Sequence, residues 1–421
     1  MLIEFNVQNF RSIKEEVTFS LVASADKSLD NNLIKTDLVR DNLLRSAVIY
    51  GANASGKSNV VLAFSLLKKL VETSHMFQKG SKINYFPFKL DKKYLSEPSK
   101  FEIVFIKNDI KYIYGISFNR EKIIDEYLYY YPAGRRALIF ERKDTNNYRF
   151  TINRKEQKFI SEKTLDNVLY LSNSTKLNYD KTAEAFDWFQ DNLGIIGAAD
   201  HPKLIEYTIH KLNEDEKMKK FILKALIEAD LGINDLSASF EKISIDEIPI
   251  AIREQLKAII SDSEGNLEKM DITTIHKVLD EMGNEDYVEF DFEEESEGTK
   301  RLFSLIGLWI DSLKNGRVLI VDELDTKLHH LLNIFLIKLF NDPTQNKNNA
   351  QLIFTTHNTN LLNLDIFRRD QIWFTEKNPS KGSTDLYSLI EFRPRKDKNI
   401  QKGYLAGRYG AIPFIGDDRI F

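Results

Sequence analysis

Ala47-Val48-Ile49-Tyr50-Gly51-Ala52-Asn53-Ala54-Ser55-Gly56-Lys57-Ser58-Asn59 joins a short apolar run to a polar loop punctuated by glycine. Residues 47–50 read as a short buried strand. From 58 to about 73, Val60, Val61, Phe64, Leu67, Leu70 and Val71 fall at helical spacing. The loop between them fits G-x-x-x-x-G-K-S, and strand–loop–helix is the context that this motif requires. Its backbone N–H groups, with the open end of the following helix, favour a phosphate. Lys57 then reaches the β/γ-phosphates as a point charge, and the Ser58 hydroxyl suits Mg²⁺. A chance glycine-rich turn is the competing explanation, and the strand and helix on either side argue against it.

Far downstream, Val318-Leu319-Ile320-Val321 ends in Asp322-Glu323. Two carboxylates at the C-terminal end of a buried strand sit where open α/β sheets gather ligands. Asp322 is expected to hold Mg²⁺ through water, and Glu323 to polarise an attacking water for in-line displacement. Taken alone, a solvated acidic turn is the favoured explanation of the pair; the loop upstream reverses that. Ser296-Glu297-Gly298-Thr299-Lys300 opens a helix rich in Leu, Ile and Phe, with Ser296 a natural N-cap and the helix end favouring an anion. His357 follows the strand at 352–356 and is placed to bond a γ-phosphate, although a lone histidine after a strand is usually a satisfied polar residue. His329 and His330 lack the accompanying ligands of a metal site and are read as structural.

At 421 residues and a net charge of −4, the chain is long enough for a sizeable core and carries no overall field toward nucleic acid or membrane. It has no cysteine, which fits a reducing compartment. The start lacks the pattern of a signal peptide, and the longest apolar run, 302–310, is too short to span a bilayer. A cytoplasmic protein with no membrane contact is expected.

Around these motifs, 2–7 and 16–22 read as strands, and 101–152 as an antiparallel meander of short aromatic strands. Residues 167–172 read as another buried strand, about 182–260 as mostly helical, 272–295 as strands again, and 298–313 as helix. The loop and the carboxylate strand are far apart in sequence, so one α/β core split by large insertions is expected. The expected division is a first half of the core at 1–75, an antiparallel β lobe at 76–160, a mainly helical insertion with closing strands at 161–295, and a second half of the core at 296–421.

Taken in order, the series Gly51–Ser58, Ser296–Lys300, Asp322-Glu323, Asp325 and His357 resembles the ABC-type ATPases of the SMC and RecF branch. The resemblance implies an α/β, ABC-type P-loop NTPase head with an antiparallel β lobe and a helical insertion, using ATP and Mg²⁺. It implies that Gly51, Ala52, Asn53, Ala54, Ser55, Gly56, Lys57, Ser58 and Asn59 hold nucleotide, with Ser58 and Asp322 on the metal and Glu323 and His357 catalytic. Ser296 and Gly298 of one copy would close over ATP bound by another, with Asp325 beside them, so a homodimer or higher homo-oligomer is implied. The opening Asn9-Phe10-Arg11-Ser12 also matches; Arg11 is then either near nucleotide or an exposed turn arginine. The signature has Glu297 and Thr299 where transporters have glycines, and Asn173 is the candidate substitute for a glutamine loop.

More narrowly, YGANASGKSN at 50–59, SEGTKRLFSL at 296–305, DELDTKLHH at 322–330 and Gly407-Arg408-Tyr409-Gly410-Ala411-Ile412-Pro413 resemble the AAA-type ATPases of the RloA/AbiL group. That resemblance implies anti-phage abortive infection and a separate effector protein, often a TOPRIM-like nuclease. The alternative is a RecF-like ATPase of DNA repair, with Arg393-Pro394-Arg395-Lys396-Asp397-Lys398 and Arg135-Arg136 meeting phosphates, although a solvated charged face explains them more simply. An intrinsic nuclease is not expected: Gly416-Asp417-Asp418 reads as an acidic tail turn. A transporter subunit fits the motifs but not the split core.

Overall fold

The computed structural model describes residues 1–197, 201–229, 231–244, 266–395 and 398–413. Its elements in chain order begin with β1 (Leu2–Gln8), β2 (Val17–Ser20), β3 (Leu33–Ile34), β4 (Leu43–Leu44), β5 (Ser46–Gly51) and α1 (Lys57–Thr73). There follow β6 (Ser99–Lys107), β7 (Ile110–Phe118), β8 (Ile123–Tyr130), β9 (Ala137–Lys143) and β10 (Asn147–Phe150). Next come α2 (Arg154–Glu162), α3 (Tyr170–Lys176), α4 (Asp180–Asp187), β11 (Leu193–Ile196), α5 (His201–Glu214), α6 (Glu216–Glu228) and β12 (Ile233–Ser244). The last third holds β13 (Asn266–Leu279), β14 (Glu285–Asp291), α7 (Glu297–Asn315), β15 (Val318–Val321), α8 (His330–Asn341), β16 (Gln351–Thr355), β17 (Ile372–Lys377), β18 (Thr384–Ser388) and α9 (Ile400–Leu405).

Short, mainly apolar strands belong in a sheet covered on both faces, and β5, β15 and β16 are buried at every residue. They lie in a six-stranded sheet of order β11-β15-β16-β5-β17-β18, parallel except for the antiparallel edge strand β18. The strand before the glycine loop and the strand before the carboxylates are therefore separated by one strand, β16, and both end at the same edge. The second large sheet is antiparallel, of order β10-β9-β8-β7-β6-β1-β2. Helix α1 lends Phe64 and Leu67 to a core that also holds Phe5 and Ile103 of the antiparallel sheet and Ile49 and Ile320 of the parallel one. Phe5 and Phe64 stack at 3.9 Å between ring centroids. The α/β core and the antiparallel β lobe expected from sequence are both present.

By its contacts the chain forms two compact units, Met1–Ala198 with Ser312–Thr326 and Asn333–Phe421, and Ala199–Asp311 with Lys327–Leu332. The second unit holds α5, α6, the sheet β12-β13-β14 and the first part of α7. In it, Tyr207 donates to Asp311 Oδ2 at 2.8 Å, and Phe292 packs on Phe303 with centroids 4.9 Å apart.

One reading of the middle of the chain changes. Residues 167–172 do not form a strand; they turn into α3. The reason is remote. The buried carboxylate of Glu126, on β8, accepts the amides of Tyr170 at 2.6 Å and Leu171 at 2.9 Å. Amides that a strand would spend on a ladder are thus satisfied at a helix start. The stretch 182–260 is mostly helical among its described residues, and two strands lie within it: Leu193–Ile196 pairs in parallel with β15, and Ile233–Ser244 pairs with β13. Residues 198–200, 230 and 245–260 of that stretch lie outside the described residues.

Candidate functional site

The glycine loop follows a buried strand, and its shape is set by two glycines. At Gly56 φ is +112°, and a Cβ would overlap Thr384 Oγ1 and come within 3.0 Å of Ser12 Oγ. At Gly51 a Cβ would overlap Ser55 Oγ and Thr375. Both positions need the missing side chain. Behind the loop runs a chain of hydroxyls: Asn59 Nδ2 donates to Ser12 Oγ at 2.6 Å, Ser12 Oγ meets Thr384 Oγ1 at 2.7 Å, Thr384 Oγ1 donates to Ser55 O at 2.7 Å, and Ser55 Oγ meets Thr375 Oγ1 at 2.7 Å. The loop is thus buttressed by the turn after β1 and by the ends of β17 and β18.

Lys57 is buried, and its ammonium donates to Gly51 O at 2.9 Å and Ala52 O at 3.1 Å. Burial holds its pKa below the ordinary lysine value, and the charges of Asp322, Glu323 and Asp325 pull it partly back. Four charged groups of the loop and the carboxylate strand therefore feel one another. Asn53 and Ala54 are exposed, Ala52, Ser58 and Asn59 are half-buried, and Ser55 and Gly56 are buried.

The carboxylates are fixed by a residue that the sequence did not single out. Thr355, the last residue of β16, donates its hydroxyl to Asp322 Oδ1 at 2.6 Å and accepts the Glu323 amide at 2.8 Å. Glu323 itself has φ +53°, a left-handed conformation that costs a non-glycine residue about 1 kcal/mol. Strain of this kind persists only where surrounding bonds hold it. Asp325 accepts the backbone N–H of His357 at 3.4 Å through Oδ2, while its Oδ1 is buried with no partner. The His357 side chain is exposed. The half-buried hydroxyl of Ser58 and the fixed carboxylate of Asp322 are oxygen donors of the kind that suits a hard cation. Among the described residues no group of three or more His, Asp or Glu side chains forms a metal site unaided, so phosphate oxygens or waters would complete the coordination.

Beside the loop lies a cleft of about 670 Å³. Gly51 to Asn53, Ser55, Thr356 and His357 form one wall. Glu376, Tyr404 and 411–413 form the other. That second wall is the Gly407–Pro413 segment folded back: Glu376 Oε1 accepts the Ala411 amide at 3.1 Å, and Tyr404 donates to Ala411 O at 2.9 Å. Burial pushes the Tyr404 hydroxyl up to about 12, so it stays a donor.

In the second unit, Ser296 caps α7: its Oγ accepts the Thr299 amide at 3.1 Å. Lys327 pairs with Glu297 at 2.6 Å, and Lys300 with Glu293 at 2.9 Å, on either side of Gly298.

Other candidates find different duties. Arg11 is exposed, with φ +52°, and lies over the ring of Phe86 at 4.8 Å; Ser12 beside it is the residue that reaches the loop. Asn9 is structural, donating to Glu97 O at 2.6 Å and accepting the Phe88 amide at 2.8 Å. Asn173 sits inside α3 and donates to Thr164 Oγ1 at 2.9 Å, so its amide is spent away from the loop. Thr355, Thr375 and Thr384 carry no motif of their own, and within the motif Asn9-Phe10-Arg11-Ser12 attention falls on Arg11 although Ser12 makes the contact. Asp417 and Asp418 lie outside the described residues, as do Lys396 and Asp397. Among the described residues no helix is long and apolar enough to cross a membrane.

The model of the family described as "AAA domain, putative AbiEii toxin, Type IV TA system" matches residues 46–363, which span every motif from β5 to His357. Two solved structures are similar at low identity. The "Crystal structure of the SmcHead bound to the C-winged helix domain of ScpA" is 15% identical, with 93% of this chain and 99% of that chain covered and a TM-score of 0.41. The "Crystal structure of the Smc head domain with an extended coiled coil bound to the C-terminal domain of ScpA derived from Pyrococcus furiosus" is 16% identical, with the same coverage of 93% and 99% and a TM-score of 0.37. No curated protein matches the chain.

Proposed function

The chain belongs to this AAA-domain family, and from that premise we propose that it is an ATPase that binds ATP and Mg²⁺ on the 51–59 loop and hydrolyses ATP between two copies of itself. One observation carries the reading: Thr355 ties Asp322 and Glu323 into a fixed pair one strand away from Lys57, at the same edge of the sheet. Phosphoryl transfer needs positioning and charge rather than covalent chemistry, and such a pair supplies both. The loop amides and Lys57 would hold the phosphates, and Lys57 would exchange its carbonyl partners for phosphate oxygens. Ser58 and Asp322 would hold Mg²⁺, which neutralises charge on those oxygens when bound. Glu323 would orient and deprotonate the attacking water, and His357, exposed on the cleft, would meet the γ-phosphate. Ser296 and Gly298 of a second copy would close the site, with Asp325 at the seam.

On the finer reading, the ATP cycle controls a separate effector in anti-phage abortive infection, as in the RloA/AbiL-like ATPases, with a TOPRIM-like nuclease as the expected kind of effector. ATP shifts the population toward the closed pair, and hydrolysis releases it. The DNA-repair reading has less support, because Arg136 is already stacked on Tyr129 at 3.8 Å.

The test is Glu323→Gln. Hydrolysis should fall at least about 100-fold while ATP affinity is kept, and ATP should shift the variant from monomer to dimer by light scattering. Hydrolysis at the wild-type rate would remove Glu323 from the role of base.

A further inference from the structure

β14 joins three properties rarely left together on a surface: an open hydrogen-bonding edge, exposed apolar side chains and charge of one sign. It pairs with β13 from Thr273↔Asp291 to Leu279↔Glu285, and no other described strand pairs with it. All seven of its residues are exposed, with Tyr287 at 56%, Val288 at 40% and Phe290 at 39%. The Tyr287 amide donates to Asp286 Oδ1 and the Asp291 amide to Glu294 Oε2, so the odd-numbered amides turn away from β13, and at these two positions an added strand has to displace the chain's own carboxylate. Alternation then sorts the side chains. Glu285, Tyr287, Glu289 and Asp291 share one face; Asp286, Val288 and Phe290 share the other, beside the half-exposed Val278 of β13.

Acidic residues continue from Asp280 to Glu297 with no lysine or arginine between them. Charge alone would suffice to keep such an edge soluble. It does not account for Tyr287, Val288 and Phe290 standing in water. The sign of the charge also selects the occupant: a second copy would set acid against acid, and nucleic acid would bring phosphates to carboxylates. Both are repelled. We propose that β14 is the docking edge for a basic, extended segment of a partner protein, which adds as a fourth strand with lysine or arginine on the acidic face and apolar residues on the other.

The edge is joined to the signature loop within the same unit. Phe290 packs on His276 with centroids 4.7 Å apart. His276 Nε2 lies 2.7 Å from Glu295 Oε1, the same carboxylate oxygen accepts the Thr274 hydroxyl, and Ser296 is the next residue. A strand clamped on β14 therefore acts one residue from the group that, on the function proposed above, closes over ATP. The coupling rests on that reading; the docking does not.

The test uses the full-length protein and a fluorescent peptide of about nine residues alternating lysine and valine. Its anisotropy should report saturable binding at low salt. Affinity should fall at least about 10-fold when alternate peptide amides are N-methylated, and by a similar factor with Glu289→Lys or Val288→Asp, since main-chain bonds give strand addition its affinity. Equal binding of the N-methylated peptide would show attraction by charge alone and overturn the proposal, as would no binding of the lysine–valine peptide. Repeating the titration on Glu323→Gln with and without ATP separates the two claims. A shift of about 3-fold or more supports the link to Ser296. Unchanged affinity, with ATP bound, overturns the link and leaves the docking edge standing. Failure of that protein to bind ATP at all sinks the ATPase reading instead, and the peptide result is unaffected.

Discussion

Two strands deliver the chemistry of this molecule, and they are opposites. β15 is four residues long, has no exposed side chain, is paired on both edges, and delivers Asp322 and Glu323. β14 is seven residues long, exposed throughout, paired on one edge, and leads through 292–295 to Ser296. A carboxylate that must meet a reacting water has to be fixed in advance, and a buried parallel sheet fixes it. A residue that must arrive only when a second copy docks gains from a support that can be pulled. On the function proposed above, the phosphate side of the site would be a frame, and the signature side a lever with an open handle.

Substitutions that strike the frame should harm fold and binding together, and those on the lever should not. Gly56→Ala should do the most damage. The residue sits at φ +112° with Thr384 and Ser12 against it, so added bulk should displace the loop. ATP binding should drop at least about 100-fold, with a loss of about 1–3 kcal/mol in a denaturant melt. A variant that kept its affinity would show that the frame yields. Ser296→Arg is the counterpart on the lever: hydrolysis should disappear while ATP affinity, measured by calorimetry, stays within about 3-fold and the melt loses only the helix cap, about 1 kcal/mol. Loss of binding there would place Ser296 in its own copy's pocket and erase the contrast.

The smallest effect concerns pH. Asp26 is buried against Arg369, whose Nε lies 2.6 Å from Oδ2. Burial alone would raise the Asp26 carboxyl, but the Ser28 amide and the Arg369 guanidinium outweigh it and hold the pKa below 3.8. A carboxyl depressed in the fold contributes stability above its unfolded value and loses it as pH falls through the folded value. Asp26→Asn should therefore lower the melting temperature at pH 7, and the gap from wild type should close below about pH 4. A gap that persisted in acid would assign the effect to packing.

The frame was the legible half. Strand, loop and helix are contiguous from Ala47 to Val71, and the apolar run before Asp322 declares burial by itself. What ties them was not legible. Thr355 matters only because β16 lands between β5 and β15, and Ser12 meets Thr384 only because the chain's two ends converge on one loop. The strand expected at 167–172 became a helix start because Glu126, on another sheet, takes its amides. Short-range periodicity cannot register a partner that distant. On the lever, the strands expected over 272–295 are present up to 279 and from 285 to 291, with a 3-10 turn at Phe292–Glu294; that β14 keeps one edge unpaired among the described strands is a property of the assembled sheet, which no pattern along the strand encodes.

The central claim is that two copies build each site, the frame from one and the lever from the other. The most direct measurement mixes two inactive proteins, Lys57→Ala and Ser296→Arg, after subunit exchange, and follows phosphate release. In a mixed pair one site carries both lesions and the other carries neither. With random exchange, half the pairs are mixed, and activity should return to about a quarter of the wild-type value. Exchange without any recovered hydrolysis would contradict the account, because it would mean that Lys57 and Ser296 act within one copy.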